Sequence, residues 1–110
     1  MVLERNDADV RIHLNQERPV NFCHPAADPL FCSTAKIYGA NVLGVVLTGM
    51  GSDGVKGSEI VTKAGGTIIA QDHDTSVVWG MPGNTARTGL CSAVLPLDEI
   101  PGYLKKITAR

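Results

Sequence analysis

Gly49-Met50-Gly51-Ser52-Asp53-Gly54 sets one carboxylate inside a glycine-rich turn, directly after the apolar run Val45-Val46-Leu47. A run of β-branched and aliphatic residues reads as a strand buried on both faces of a parallel sheet. The turn after it then opens at the carboxyl edge, where α/β proteins place their chemistry. Asp53 is therefore the residue from which function is argued, and three roles are open to it. Preceding a helix, it could cap the first N–H groups of that helix, worth about 1 kcal/mol. At the mouth of a parallel sheet it could instead orient a histidine and stabilise the imidazolium formed during acyl transfer. Finally, the G-x-G-x-x-G spacing, with Asp72 at the end of the next strand, matches a dinucleotide-binding turn. A fixed anion in that turn would repel the pyrophosphate that the helix N-terminus is meant to receive, which weighs against this third role.

Acyl transfer needs a nucleophile and a base. Ser33, Ser52, Ser58, Ser76 and Ser92 all lie outside a G-x-S-x-G elbow or similar strained turn. Of the three histidines, only His73 falls where it could approach Asp53, and its neighbours Asp72 and Asp74 suit an ordinary surface loop. His24 precedes Pro25 in an extended stretch with no base or nucleophile beside it, and His13 is an outward strand position. Trp79 and Met81, near a Gly-Pro turn, are packing residues that could also line a cleft. Cys23, His24 and Cys32 match no usual zinc spacing, so neither a metal nor a cofactor is expected.

The elements that must position Asp53 follow from the pattern on either side. Val10, Ile12 and Leu14 alternate with Arg11 and His13 as in a half-buried strand, pairing with Val2 to Glu4 through a turn at Asn6-Asp7-Ala8-Asp9. Asp28-Pro29 gives an N-cap carboxylate and a first-turn proline for a helix from about Pro29 to Tyr38. Leu30, Phe31, Thr34 and Ile37 form its buried stripe, and Gly39 ends it. A strand Val42 to Thr48 comes next, then a helix from about Gly54 to Ala64 with Val55, Ile60, Val61 and Ala64 inward, stopped by Gly65-Gly66. A strand Thr67 to Gln71, a loop, a short helical piece or turn from Thr75 towards Gly80, a strand near Ala93 to Leu95 and a helix from about Leu97 to Ile107 complete the chain, with Pro101 as an irregularity. Strand, helix and strand within about 30 residues imply a right-handed crossover and parallel neighbours, which brings Asp53 and His73 to one sheet edge.

The 110 residues suit one domain, residues 1–110, and 44% hydrophobic with 19% charged residues is ordinary globular composition. A net charge of -1 and scattered cations, apart from Lys105-Lys106, give no basic stripe for nucleic acid. No apolar run approaches the ~20 residues of a membrane span, and the polar start does not read as a signal peptide. Three cysteines without C-x-x-C spacing fit free thiols, so a cytoplasmic location is expected.

Several motifs occur together in order: Thr48-Gly49-Met50-Gly51-Ser52-Asp53-Gly54, Ala64-Gly65-Gly66, Ala70-Gln71-Asp72 and Ser76-Val77-Val78-Trp79-Gly80-Met81-Pro82. With Pro19-Val20-Asn21-Phe22, Pro25 and Asp28-Pro29-Leu30-Phe31 upstream, they resemble the C-terminal half of the catalytic domain of chemotaxis protein-glutamate methylesterases. The resemblance implies a Rossmann-like three-layer α/β fold with a parallel sheet, preceded here by the N-terminal β-hairpin. It also implies hydrolysis of glutamyl methyl esters, and deamidation of glutamines, on methyl-accepting chemotaxis receptors by a Ser-His-Asp triad. Asp53 matches the triad acid, Met50 the residue whose N–H belongs to the oxyanion site, and Gly51 its close-approach neighbour. Met81 and Pro82 match a loop beside the same cleft.

The family's Gly-x-Ser-Thr-Gly-Gly nucleophile turn and its histidine motif both precede the region this chain resembles, and neither is found here. His73 matches no triad position. His24 and Cys32 depart from the family pattern. The expectation is a partial domain, inactive alone, whose uncovered sheet edge favours self-association. The alternatives are a non-catalytic receptor-binding or oligomerisation module and, third, a dinucleotide-binding domain.

Overall fold

A computed structural model describes residues 1–14 and 26–109 of the chain. Pro19 to Phe22, Cys23, His24 and Pro25 lie outside the described residues, and with them the upstream motif and two of the three zinc candidates. The chain opens with an antiparallel hairpin of β1 (Val2–Asn6) and β2 (Asp9–His13), in which Leu3 faces Ile12 and Arg5 faces Val10. Its turn lies where the short polar residues put it, with Asp7 at φ 56. Only Val10 of the alternating set is half-buried. Ile12 and Leu14 are exposed, because the contact with the next helix is made by β1. The Ser33 hydroxyl makes part of that contact by accepting the Leu3 N–H at 2.8 Å.

Helix α1 (Ala27–Tyr38) leads into a 3-10 turn (Gly39–Asn41), and β3 (Leu43–Val46) and α2 (Val55–Lys63) flank the aspartate turn. Next come β4 (Thr67–Gln71), α3 (Met81–Arg87), β5 (Ala93–Leu95), a 3-10 turn (Leu97–Glu99) and α4 (Ile100–Thr108). The described strands β3, β4 and β5 form one parallel sheet in that order, with Val46 beside Ala70 and Gln71 beside Leu95. This is the α/β architecture with a parallel sheet and an N-terminal hairpin that the residue pattern implies. Central β4 buries Ile68, Ile69, Ala70 and Gln71 completely or nearly so. By contrast, β3 buries only alternate residues, and Leu43 and Val45 stay half-buried.

The expected inward face of α2 needs correction, whereas the turn alternative for Thr75 to Gly80 holds. The buried face of α2 is Gly57, Ser58 and Val61, whereas Ile60 and Ala64 lie outward. Helix α1 lies so close that a Cβ on Gly57 would stand 2.5 Å from Phe31 Cβ, so the interface selects small residues and turns the isoleucine away. The segment Thr75 to Gly80 is a turn, and the helix comes after it, as α3. Pro82 sits in the first turn of α3, where its missing N–H costs nothing.

Candidate active site

The site lies where the three parallel strands end. Asp53 is 4% exposed, and its carboxylate is not the cap of its own helix. Gly54, at φ 103, takes the N-cap position of α2. Asp53 reaches across to α1 instead. Its Oδ2 accepts the Ala27 N–H at 2.6 Å and its Oδ1 accepts the Asp28 N–H at 3.0 Å. Asp28, expected as the N-cap of α1, sits inside the first turn with Ala26 at the N-cap. Its own Oδ1 accepts the Gly54 N–H at 3.0 Å and the Gly57 N–H at 2.8 Å. Each helix start thus receives the other's carboxylate, which satisfies amides that have no partner within their helix and puts negative charge at both positive helix ends.

This exchange also bears on the dinucleotide reading. The Gly54 and Gly57 N–H groups, which a pyrophosphate would need at the start of α2, are already held by Asp28. Asp72 is likewise engaged, accepting the Thr75 N–H at 3.0 Å and the Thr75 hydroxyl at 2.7 Å.

A second set of bonds fixes the other half of the turn. The Thr48 hydroxyl accepts the Val78 N–H and donates to the Val78 carbonyl. The Gly49 N–H also donates to Val78 O, and the Met81 N–H donates to Gly49 O at 2.8 Å. Gly80 runs so tightly against the turn that a Cβ there would stand 2.8 Å from both Gly49 O and Gly51 N. Asn84 Nδ2 donates to Gly51 O at 2.9 Å. Met50 and Gly51 are therefore laced to the Trp79 to Pro82 segment. Met50 is 80% exposed, and its main-chain N–H meets no acceptor among the described residues. Met81 packs its sulfur against Gly49, and Pro82 is buried behind it in α3.

Gln71 ties these loops to the sheet, a role its residue type did not announce. It is 1% exposed at the end of β4. Its Oε1 accepts the Thr48 N–H at 2.8 Å, its Nε2 donates to the Thr75 carbonyl, and its main-chain oxygen accepts the Trp79 indole N–H. The sequence signals were its position, a polar residue ending an apolar strand, and its place in Ala70-Gln71-Asp72.

His73 emerges at the same edge as Asp53, as the crossover requires. It turns to Asp74, 3.6 Å away, and sets its ring edge-on to Trp79 at a centroid distance of 5.3 Å. On the other side, the Arg87 guanidinium stands 5.3 Å from the centroid of the Trp79 ring. A cavity of about 330 Å³ lined by Asp28, Ser52, Val55, Lys56 and Asn84 opens beside the turn. No group of three or more metal-ligating side chains occurs among the described residues. Burial pushes the Cys32 thiol above its ordinary range, helped by the nearby Asp28, and burial alone raises Cys91.

Residues 1–104 match the family model described as CheB methylesterase. The chain belongs to the CheB methylesterase family. It is 59% identical over 104 residues to a protein-glutamate methylesterase/protein-glutamine glutaminase of Rhodospirillum rubrum, covering 94% of this chain and 27% of that protein. A second such protein, from Paramagnetospirillum magneticum, is 54% identical over all of this chain and 29% of its own length. The chain thus spans between a quarter and a third of these CheB relatives. The crystal structure of the Thermotoga maritima CheB methylesterase catalytic domain matches with a TM-score of 0.94 at 37% identity, over 97% of this chain and 57% of that one. Both the fold and the family expected from the motif order are therefore borne out.

Proposed function

We propose that this chain supplies the acid and part of the oxyanion site for hydrolysis of glutamyl methyl esters, and deamidation of glutamines, on methyl-accepting chemotaxis receptors in the cytoplasm. The observation that carries this reading is the buried Asp53 carboxylate, held by two α1 amides at the carboxyl edge of the sheet in a chain of the CheB methylesterase family. A carboxylate offers about four acceptor positions, and two of the bonds that Asp53 accepts come from α1 amides. As the acid, Asp53 fixes the tautomer of the histidine and stabilises its charged form while a serine attacks the ester carbonyl. In this reading the Met50 N–H, with Gly51 giving close approach, serves the developing oxyanion, where one preorganised donor is worth roughly 3 kcal/mol. Met81, packed on Gly49, and the adjoining Pro82 are read as a wall of the same cleft.

Residues 1–110 are read as the C-terminal portion of a catalytic domain. The serine and the histidine come from another polypeptide segment, and this chain alone is inactive. Methanol release from a methylated receptor tests the reading, because hydrolysis reconstituted with the serine- and histidine-bearing segment must disappear on Asp53→Ala.

A second reading, a non-catalytic module that binds receptor or self-associates, draws on the outer edge of β3. Among the described residues that edge is unpaired, and Leu47 beyond it is 45% exposed. Such a module would elute as a dimer at micromolar concentration and bind receptor without releasing methanol from it.

A further inference from the structure

The geometry points to Asp28 as the positioning residue of Asp53, gripping it from both sides. The N–H that Asp28 Oδ1 accepts at 3.0 Å is that of Gly54, the peptide directly following Asp53. The N–H that Asp28 donates goes to Asp53 Oδ1, also at 3.0 Å. One residue thus fixes both the main chain and the carboxylate of Asp53, across 25 positions of sequence.

Asp28 is itself 5% exposed and anchored by the Gly57 N–H, where α2 packs tightly on α1. With the Asp28 carboxylate held by two amides and the Asp53 carboxylate by two more, the plane of the Asp53 carboxylate is set before any partner arrives. An ordinary cap of α2 would need only the bonds that Asp28 Oδ1 accepts. The return bond from the Asp28 amide adds nothing to α2; it satisfies a first-turn N–H of α1 and at the same time holds the Asp53 carboxylate.

This inference rests on the reading of Asp53 as the triad acid. Its test combines amide proton shifts of the 110-residue chain with hydrolysis of a methylated receptor by the reconstituted complex. In Asp28→Ala the Ala27 amide proton, shifted downfield by its 2.6 Å bond to Asp53, moves upfield, and kcat falls about 100-fold with KM nearly unchanged, the scale of a displacement near 1 Å. Asp28→Asn retains an acceptor oxygen of the same shape and restores most of both signals.

An Ala27 amide that stays in place, an unchanged kcat in Asp28→Ala, or an asparagine variant no better than alanine overturns the inference. If Asp28→Ala does not fold, hydrogen exchange of the unmodified chain decides. The clamp requires Ala27 and Gly54 to share one opening event, and protections differing by more than about tenfold refute it. If Asp53 is not the triad acid, Asp53→Ala leaves hydrolysis intact while the amide shifts still report on the clamp, so the two failures are told apart.

Discussion

Gly57→Ala and Gly102→Ala are the same chemical change in two helices, and the structure assigns them opposite signs. In an open helix, alanine in place of glycine is favoured by roughly 0.5–1 kcal/mol, mostly through the unfolded chain. Gly102 in α4 has nothing within 4 Å of an added Cβ, so that gain is realised there. At Gly57 the new Cβ would meet Phe31 Cβ at 2.5 Å, Phe31 Cγ at 3.1 Å and Asp28 Oδ1 at 3.2 Å, against an ordinary carbon contact of about 3.5–4.0 Å. Separating α1 and α2 to relieve this costs about 1–3 kcal/mol as overpacking. It also stretches the 2.8 Å bond from the Gly57 N–H to Asp28, a bond to a charged acceptor worth about 1.5–3 kcal/mol. Set against the propensity gain, the net expectation is a loss of about 2–4 kcal/mol. Urea unfolding of the two variants beside the unmodified chain measures both, with unchanged m-values as the check on two-state behaviour. A Gly57→Ala variant as stable as the parent would refute the closeness of the two helix starts.

Three further outcomes are expected. Gln71→Leu strands the Thr48 N–H and the Thr75 carbonyl, which its side chain holds, and lowers stability by about 1–3 kcal/mol in urea unfolding; the Trp79 bond to the main-chain oxygen of residue 71 is kept. Val61→Ala, at a fully buried position between α2 and the sheet, costs about 2–3 kcal/mol in the same unfolding assay. Cys32 and Cys91, with thiols pushed above the ordinary range, hold less thiolate than free cysteine at a given pH. Mass spectrometry of the alkylated peptides should therefore show both reacting more slowly than glutathione at pH 8, with rates still climbing above pH 9.

What the sequence makes legible here is local. Thr67 to Gln71 and Ala93 to Leu95 are read to the residue, because a continuous apolar run between turn signals leaves little choice. Helix α3 is not, since Gly80-Met81-Pro82-Gly83 carries the composition of a turn while Pro82 occupies the one helical turn that tolerates it. The inward face of α2 is misjudged at Ile60 for a related reason: hydrophobicity marks the large residues, whereas the contact with α1 is set by how near the backbones come at Gly57.

The site divides along the same line. Asp53 stands out by type and position. Its true capping partners do not, because Ala27 and Asp28 lie 26 and 25 residues away and only the packing of α1 on α2 brings them together. Nothing local distinguishes an aspartate that caps its own helix from one that caps another. The bonding role of Gln71 is hidden for the same cause, as its three attachments belong to loops that meet only in the folded chain.

The most direct test of the central claim is methanol release from a methylated chemoreceptor by the 110-residue chain mixed with the preceding part of the Rhodospirillum rubrum relative's catalytic domain. No turnover is expected from either piece alone, turnover from the mixture, and a fall of about 10⁴-fold with Asp53→Ala, as when a triad acid loses its function. Undiminished turnover by the Asp53→Ala mixture would contradict it.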